Sequence, residues 1–121
     1  MILSVSRDSF MEDIWAEIKT TTFRLDPKNR WHKGRVIQFW RGNPRNVKNN
    51  PFEFATGICT GVEQAFIDPD NNRITINDYV HFKRKILDEI ARQDGFKDWE
   101  DMKTWFTKPW SGKRIHFIVT K

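Results

Sequence analysis

Cysteine is almost absent from this sequence. Cys59 stands alone, so no disulfide can form within the chain, and a reducing, cytoplasmic compartment is the natural expectation. Cys59 lies in an apolar, strand-like run, where a small buried thiol is the default. Histidine is scarce too. His32, His81 and His116 stand far apart, at no spacing that would gather them around a metal ion, so no metal and no other cofactor is expected. Long apolar runs are missing. The opening MILSV is soon broken by Arg7 and Asp8, which leaves it too short for the core of a secretion signal. No stretch approaches the roughly 20 apolar residues that cross a bilayer, so a membrane partner is not expected. A glycine-rich phosphate loop, a G-x-S-x-G elbow and a paired-cysteine redox motif are all absent.

What is present fits one globular domain over residues 1–121. Hydrophobic residues make up 38% and charged residues 31%, a balance that can bury one core and has no room for a second. Aromatic residues reach 14%, as ten Phe, six Trp and one Tyr. Large rings fill a compact core efficiently, and one or two exposed rings could stack on bases.

Positive charge is concentrated rather than spread. Residues 19–48 hold nine Lys or Arg and one acid, a net of +8, while the other 91 hold twelve basic and fifteen acidic residues, a net of −3. A basic block beside a mildly acidic remainder suggests a face that meets an anion, and nucleic acid is the commonest such partner. A solvated basic loop is the plain alternative. Arg30, Lys33 and Arg35 are the candidate phosphate contacts. Trp31, set among them, is the candidate stacking ring, unless it covers the end of the core; Trp40 ends an apolar strand and reads as core. The run Lys83, Arg84, Lys85 reads as a solvated helix face and only secondarily as a phosphate contact.

Residues 2–5 read as a first strand. Ser9 and Glu12 make a capping box for a helix over 9–17. KTTTFR, residues 19–24, favours an extended strand. Residues 26–34 form a loop, 36–40 a buried strand, and 42–51 a flexible basic loop rich in Gly, Asn and Pro. A long strand over 54–67 is bent at Gly57 or Gly61, and a turn at 68–72 leads to a strand at 73–76. Asn77 caps a second helix with a stripe of Tyr79, Phe82, Ile86, Leu87 and Ile90, which Gly95 stops. Asp98 caps a third helix with Trp99, Met102, Trp105 and Phe106 inward, and Pro109 prevents its extension. Residues 113–119 form the last strand. Strands in the middle with helices before and after indicate an α+β domain, a small barrel or strongly curved sheet with helices packed on it.

Two stretches resemble the ASCH family of PUA-like domains. IWAEIKTTTFR, residues 14–24, is similar to the family's I-x-x-G-x-K-T-x-x-x-R signature. IARQDGFKDWEDMKTWF, residues 90–106, is similar to the A-x-x-D-G-F-x-x-x-x-x-M-x-x-W-F run near the end of many bacterial and phage members. Together the two frame nearly the whole chain. The chain departs from the signature at Glu17, where the family carries a glycine that lets the turn take an unusual backbone conformation.

The resemblance implies a PUA-like barrel that binds RNA or a modified nucleoside or nucleotide. Through the N4-acetylcytidine amidohydrolases of the same superfamily, it also implies a possible hydrolase. On that reading the catalytic lysine falls on Lys19, the threonine on Thr22, the carboxylate on Asp94 (where those enzymes carry Glu), and Arg24 closes the first motif as a substrate contact. The chemistry is coherent on its own terms. A threonine hydroxyl needs a base before it becomes a nucleophile, a desolvated lysine can be that base, and a carboxylate can pass a proton to the leaving amine. Each residue also has a bland reading: Lys19 as a helix-end cation, the threonines as strand formers, Asp94-Gly95 as a helix-end turn pair. Three functions therefore stay open: a binding module, a small amidohydrolase, and a phage protein-interaction domain.

Overall fold

The computed structural model describes all residues 1–121. In chain order the elements are β1 (Ile2–Val5), α1 (Asp8–Trp15), β2 (Thr21–Arg24), β3 (Val36–Arg41), a 3-10 turn (Val47–Asn49), β4 (Phe52–Asp68), β5 (Arg73–Ile76), β6 (Tyr79–His81), α2 (Arg84–Gln93), α3 (Trp99–Trp105) and β7 (Trp110–Val119). This is an α+β domain with one mixed seven-stranded sheet and three helices.

The 17-residue β4 is the spine. Its first half pairs antiparallel with β3, from Arg41↔Phe52 to Val36↔Ile58. Its last residues pair with β5, which carries β6 at the edge. Its other side pairs with β7, from Gly57↔Val119 to Ile67↔Trp110. Beyond β3 lies β1, in parallel register, and beyond β7 lies β2, antiparallel. The bend expected at the glycines is a bulge against β7 between Cys59 and Gly61. At Gly57 a Cβ would stand 2.2 Å from the Ile118 carbonyl oxygen, so close strand approach explains the glycine.

The expected barrel is not closed by strand pairing. The run β1-β3-β4-β7-β2 ends in two free edges, since no ladder joins β1 to β2. The seam between those edges is spanned by a side chain: Arg24 Nη2 donates to the Ser4 carbonyl at 2.7 Å.

Several local expectations are corrected. The first helix starts at Asp8, with Arg7 at the N-cap and no side-chain cap, so the Ser9–Glu12 pair lies inside the helix instead of capping it. Asn77 does not cap a helix; it takes a left-handed φ of 54° between β5 and β6, and its Oδ1 accepts from the Gln64 backbone. The second helix therefore begins at Arg84, and Tyr79 and Phe82 are exposed rather than part of its stripe. Asp98 does cap α3, accepting from the Asp101 N–H at 2.9 Å.

The core runs between the sheet and the helices and is built around Leu3, Ile14, Ile37, Phe39, Ile67, Leu87, Trp99, Met102 and Ile115. No helix is long and apolar enough to cross a membrane.

Candidate functional site

The site begins at two helix ends. At the C-terminus of α1 the Ile18 N–H reaches back to the Asp13 carbonyl at 2.8 Å, and the Glu17 N–H to that of Ile14 at 3.1 Å. At the C-terminus of α2 the Phe96 N–H reaches the Ala91 carbonyl at 2.9 Å, and the Gly95 N–H that of Arg92 at 3.0 Å. Both are Schellman turns, which demand a left-handed residue after the cap. Gly95 supplies it with φ 94°, and Glu17 supplies it with φ 60° despite its side chain. The glycine position of the sequence signature is thus a left-handed position here, and Glu17 adopts that geometry.

The first turn delivers Lys19 and the second delivers Asp94. Lys19 Nζ donates to the Asp94 carbonyl at 2.6 Å, to the Thr21 carbonyl at 2.8 Å and to Asp94 Oδ1 at 3.1 Å. An ammonium has three protons, and all three are used. The Thr20 N–H adds a bond to the Gln93 carbonyl at 2.8 Å. The chain leaving α1 therefore caps the open carbonyls of α2, where a cation is also favoured by the helix dipole. Phe10 lies under the ammonium, with its ring centroid 4.9 Å from Nζ.

Lys19 and Asp94 are both buried, at 3% and 4% exposure. Burial pushes the Lys19 ammonium below its usual value, against the pull of Asp94. Burial likewise pushes the Asp94 carboxyl above the usual carboxylate range, against Lys19, Arg24 and Arg114. The Asp94 hydrogen bonds use Oδ1 and the backbone carbonyl, which leaves Oδ2 without a protein donor.

Thr22 and Arg24 lie on one face of β2, two residues apart. Arg24 Nε donates to Thr22 Oγ1 at 3.1 Å, and burial lowers the Arg24 guanidinium, with Asp94 opposing. Lys19, Thr22, Arg24 and Asp94 all line one cleft of about 300 Å³, which opens at the seam between β1 and β2. Its remaining walls are Ser4, Val5 and Ser6 at the end of β1, Gly42 and Asn43 after β3, and the rings of Phe10, Phe23, Phe96, Trp105 and Phe106. The Gly42 N–H bonds the Val5 carbonyl at 3.0 Å, which fixes the start of the 42–51 loop beside the cleft.

The other predicted contacts lie elsewhere. Trp31 is buried at 8% exposure as part of the core, and its N–H donates to Asp26 Oδ2 at 3.0 Å. It leaves little ring surface open and does not line the cleft, so the stacking assignment to Trp31 is corrected. Arg30 lines a separate depression with Met1, Leu25 and Trp31, and Lys33 and Arg35 do not line the cleft. These three leave the sheet at the start of β3, whereas the cleft lies at its end, six residues or about 20 Å away.

The ring that does stand open at the cleft is Trp105, at 48% exposure. The helix stripe places Trp105 inward, whereas the structure leaves it about half exposed. The signal for the aromatic wall was present, because Phe96, Trp105 and Phe106 all belong to the second motif. No group of three or more His, Cys, Asp or Glu side chains is placed to hold a metal ion. No family model, no curated protein and no solved structure matches the chain.

Proposed function

We propose that the chain is an ASCH-type, PUA-like module whose cleft holds a nucleoside, free or as one residue of an RNA strand. The observation that carries this reading is the convergence of Lys19, Thr22, Arg24 and Asp94, brought in from two separate motifs, on one cleft walled by five aromatic rings. About 300 Å³ lies at the small end of ligand pockets and suits one nucleoside better than a folded RNA. Rings provide stacking surface, and Arg24, Asp94 Oδ2 and the Ser4–Ser6 edge provide polar contacts of both signs.

A second reading, deacylation of N4-acetylcytidine or a related amide, is favoured by one observation: burial lowers the proton affinity of a lysine three residues from a threonine in the same cleft. The hydrogen bonding weighs against it. All three Lys19 protons are committed to acceptors other than Thr22, and the Thr22 hydroxyl takes its hydrogen bond from Arg24. A base must first lose a proton and reach the hydroxyl. Binding without efficient turnover is therefore the reading adopted.

Calorimetric titration with N4-acetylcytidine, alongside an assay for released cytidine, tests both. The expected result is saturable binding with turnover slow or absent, any turnover being lost in Thr22→Ala while binding persists. Rapid hydrolysis abolished by Thr22→Ala would establish the amidohydrolase instead. If no nucleoside and no single-stranded RNA binds, the nucleoside reading is wrong.

A further inference from the structure

The acid–base balance of the cleft is unequal. Asp94 is the one carboxylate lining it, and Lys19 already neutralises it. Arg24 lines the same cleft and is largely buried, yet its hydrogen bonds go to the Thr22 hydroxyl and the Ser4 carbonyl, both neutral. A second arginine packs against the aromatic wall of the cleft without itself lining it. The Arg7 guanidinium lies 4.8 Å from the ring centroid of Trp105, 5.1 Å from that of Phe10 and 5.6 Å from that of Phe96, and all three rings line the cleft. The Phe10 ring is also the neighbour of Lys19 Nζ. Arg7 is half-buried, and its side chain makes no hydrogen bond or ion pair with the protein.

Two other arginines withdrawn from solvent have acidic partners, whereas the partly buried Arg35 has none. Arg41 pairs with Asp8 at 2.7 Å, and Arg114 with Glu63 at 3.5 Å. A cation taken from water with only neutral partners is costly until an anion joins it. Ring faces hold a guanidinium in place while leaving its N–H donors free, and two such forks match the oxygens of a phosphate.

We propose that the cleft selects a phosphorylated nucleoside, its phosphate held by Arg24 and by the ring-mounted Arg7. This rests on the nucleoside reading above and narrows it to an anionic ligand, either a free nucleoside monophosphate or a phosphate-bearing residue of an RNA.

The test is calorimetric titration of the full chain with N4-acetylcytidine, the four ordinary ribonucleosides and the 5′-monophosphate of each, together with a short single-stranded RNA. In low salt each monophosphate that binds should do so at least about tenfold more tightly than its nucleoside, a gap that salt should narrow. Arg7→Met keeps an unbranched apolar chain against the rings. It should erase most of the gap by weakening the monophosphate much more than the nucleoside, while Arg7→Lys should restore part of it. Tighter binding of the RNA than of any monophosphate would assign the phosphate to a strand; the reverse would assign it to a free nucleotide.

Equal affinity for nucleoside and monophosphate in the wild type overturns the proposal while the nucleoside reading survives. So does a parallel loss of both affinities in Arg7→Met, which marks a structural role. Absence of binding by every probe overturns both.

Discussion

Glu17 and Gly95 hold the same position in the same turn at two helix ends, and one of them has a side chain. Glu17→Gly relieves a left-handed strain of about 1–2 kcal/mol and gives some of it back as unfolded-chain entropy. The expected outcome is a gain of up to about 1 kcal/mol, read as a higher urea midpoint at unchanged slope. Gly95→Ala goes the other way. At φ 94° a Cβ would stand 2.8 Å from Phe10 Cδ1 and 3.0 Å from Lys19 Cδ, so strain and overpacking add to a loss of about 2–4 kcal/mol. A midpoint unmoved by Gly95→Ala would contradict the close packing at the cleft's base. The sequence departure at Glu17 was legible from the signature, and the structure gives it a backbone meaning. The failed assignment at Trp31 has an equally local cause. Its basic neighbours Lys28, Arg30 and Lys33 suggested a solvent loop, but Asp26 accepts from the backbone of Arg30 and Trp31 at 2.8 and 3.0 Å and folds the ring inward.

Among elements, the decisive contact joins the ends of α1 and α2. Lys19 is the cap of α2 as well as a wall of the cleft, since the Asp94 carbonyl is its shortest partner. Lys19→Met leaves a buried carboxyl and two carbonyls without their donor, and a loss of about 3–5 kcal/mol is expected in chemical denaturation. Asp94→Asn keeps the carbonyl acceptor and should cost less. Equal stability of Lys19→Met and wild type would contradict the capping role. The Asp26 anchor supplies a pH test. Burial works to raise its carboxyl, but the Trp31 and Arg30 N–H groups and Lys113 together hold it below the usual range. A carboxyl depressed by folding adds stability above its unfolded value, near pH 4, and loses it as the pH falls further. Asp26→Asn should therefore flatten the acid limb of the stability profile; an unchanged limb would contradict the anchor. Element boundaries were readable wherever the local signal had no competitor, as at the Asp98 cap of α3. At Asn77 a helix cap and a left-handed turn residue share one composition, and only pairing with Gln64 in β4 decides between them. Long-range pairing of that kind is not written in local spacing.

For the whole molecule, β3 divides the positive segment in two. Lys28, Arg30, Lys33 and Arg35 leave one end of that strand, and Arg45 and Lys48 leave the other in the loop whose first residues line the cleft. The +8 total was legible in the sequence; its division was not, because a charge count has no direction. The convergence of Lys19, Thr22, Arg24 and Asp94 followed from paired motifs, whereas the open seam between β1 and β2 depends on pairings far apart in the chain. If the cleft is the binding site, replacing Arg45 and Lys48 by Gln should weaken single-stranded RNA binding and lower the salt slope by about 1–2. The matching change at Arg30, Lys33 and Arg35 should leave both nearly intact; the opposite order would move the RNA to the far end of the sheet. The most direct measurement is backbone amide shift mapping by NMR during titration with N4-acetylcytidine and its 5′-monophosphate. The account predicts the largest shifts at residues 4–7, 19–24, 42–43 and 94–96 and at Trp105. Shifts centred on residues 28–35, or none at saturating ligand, would contradict it.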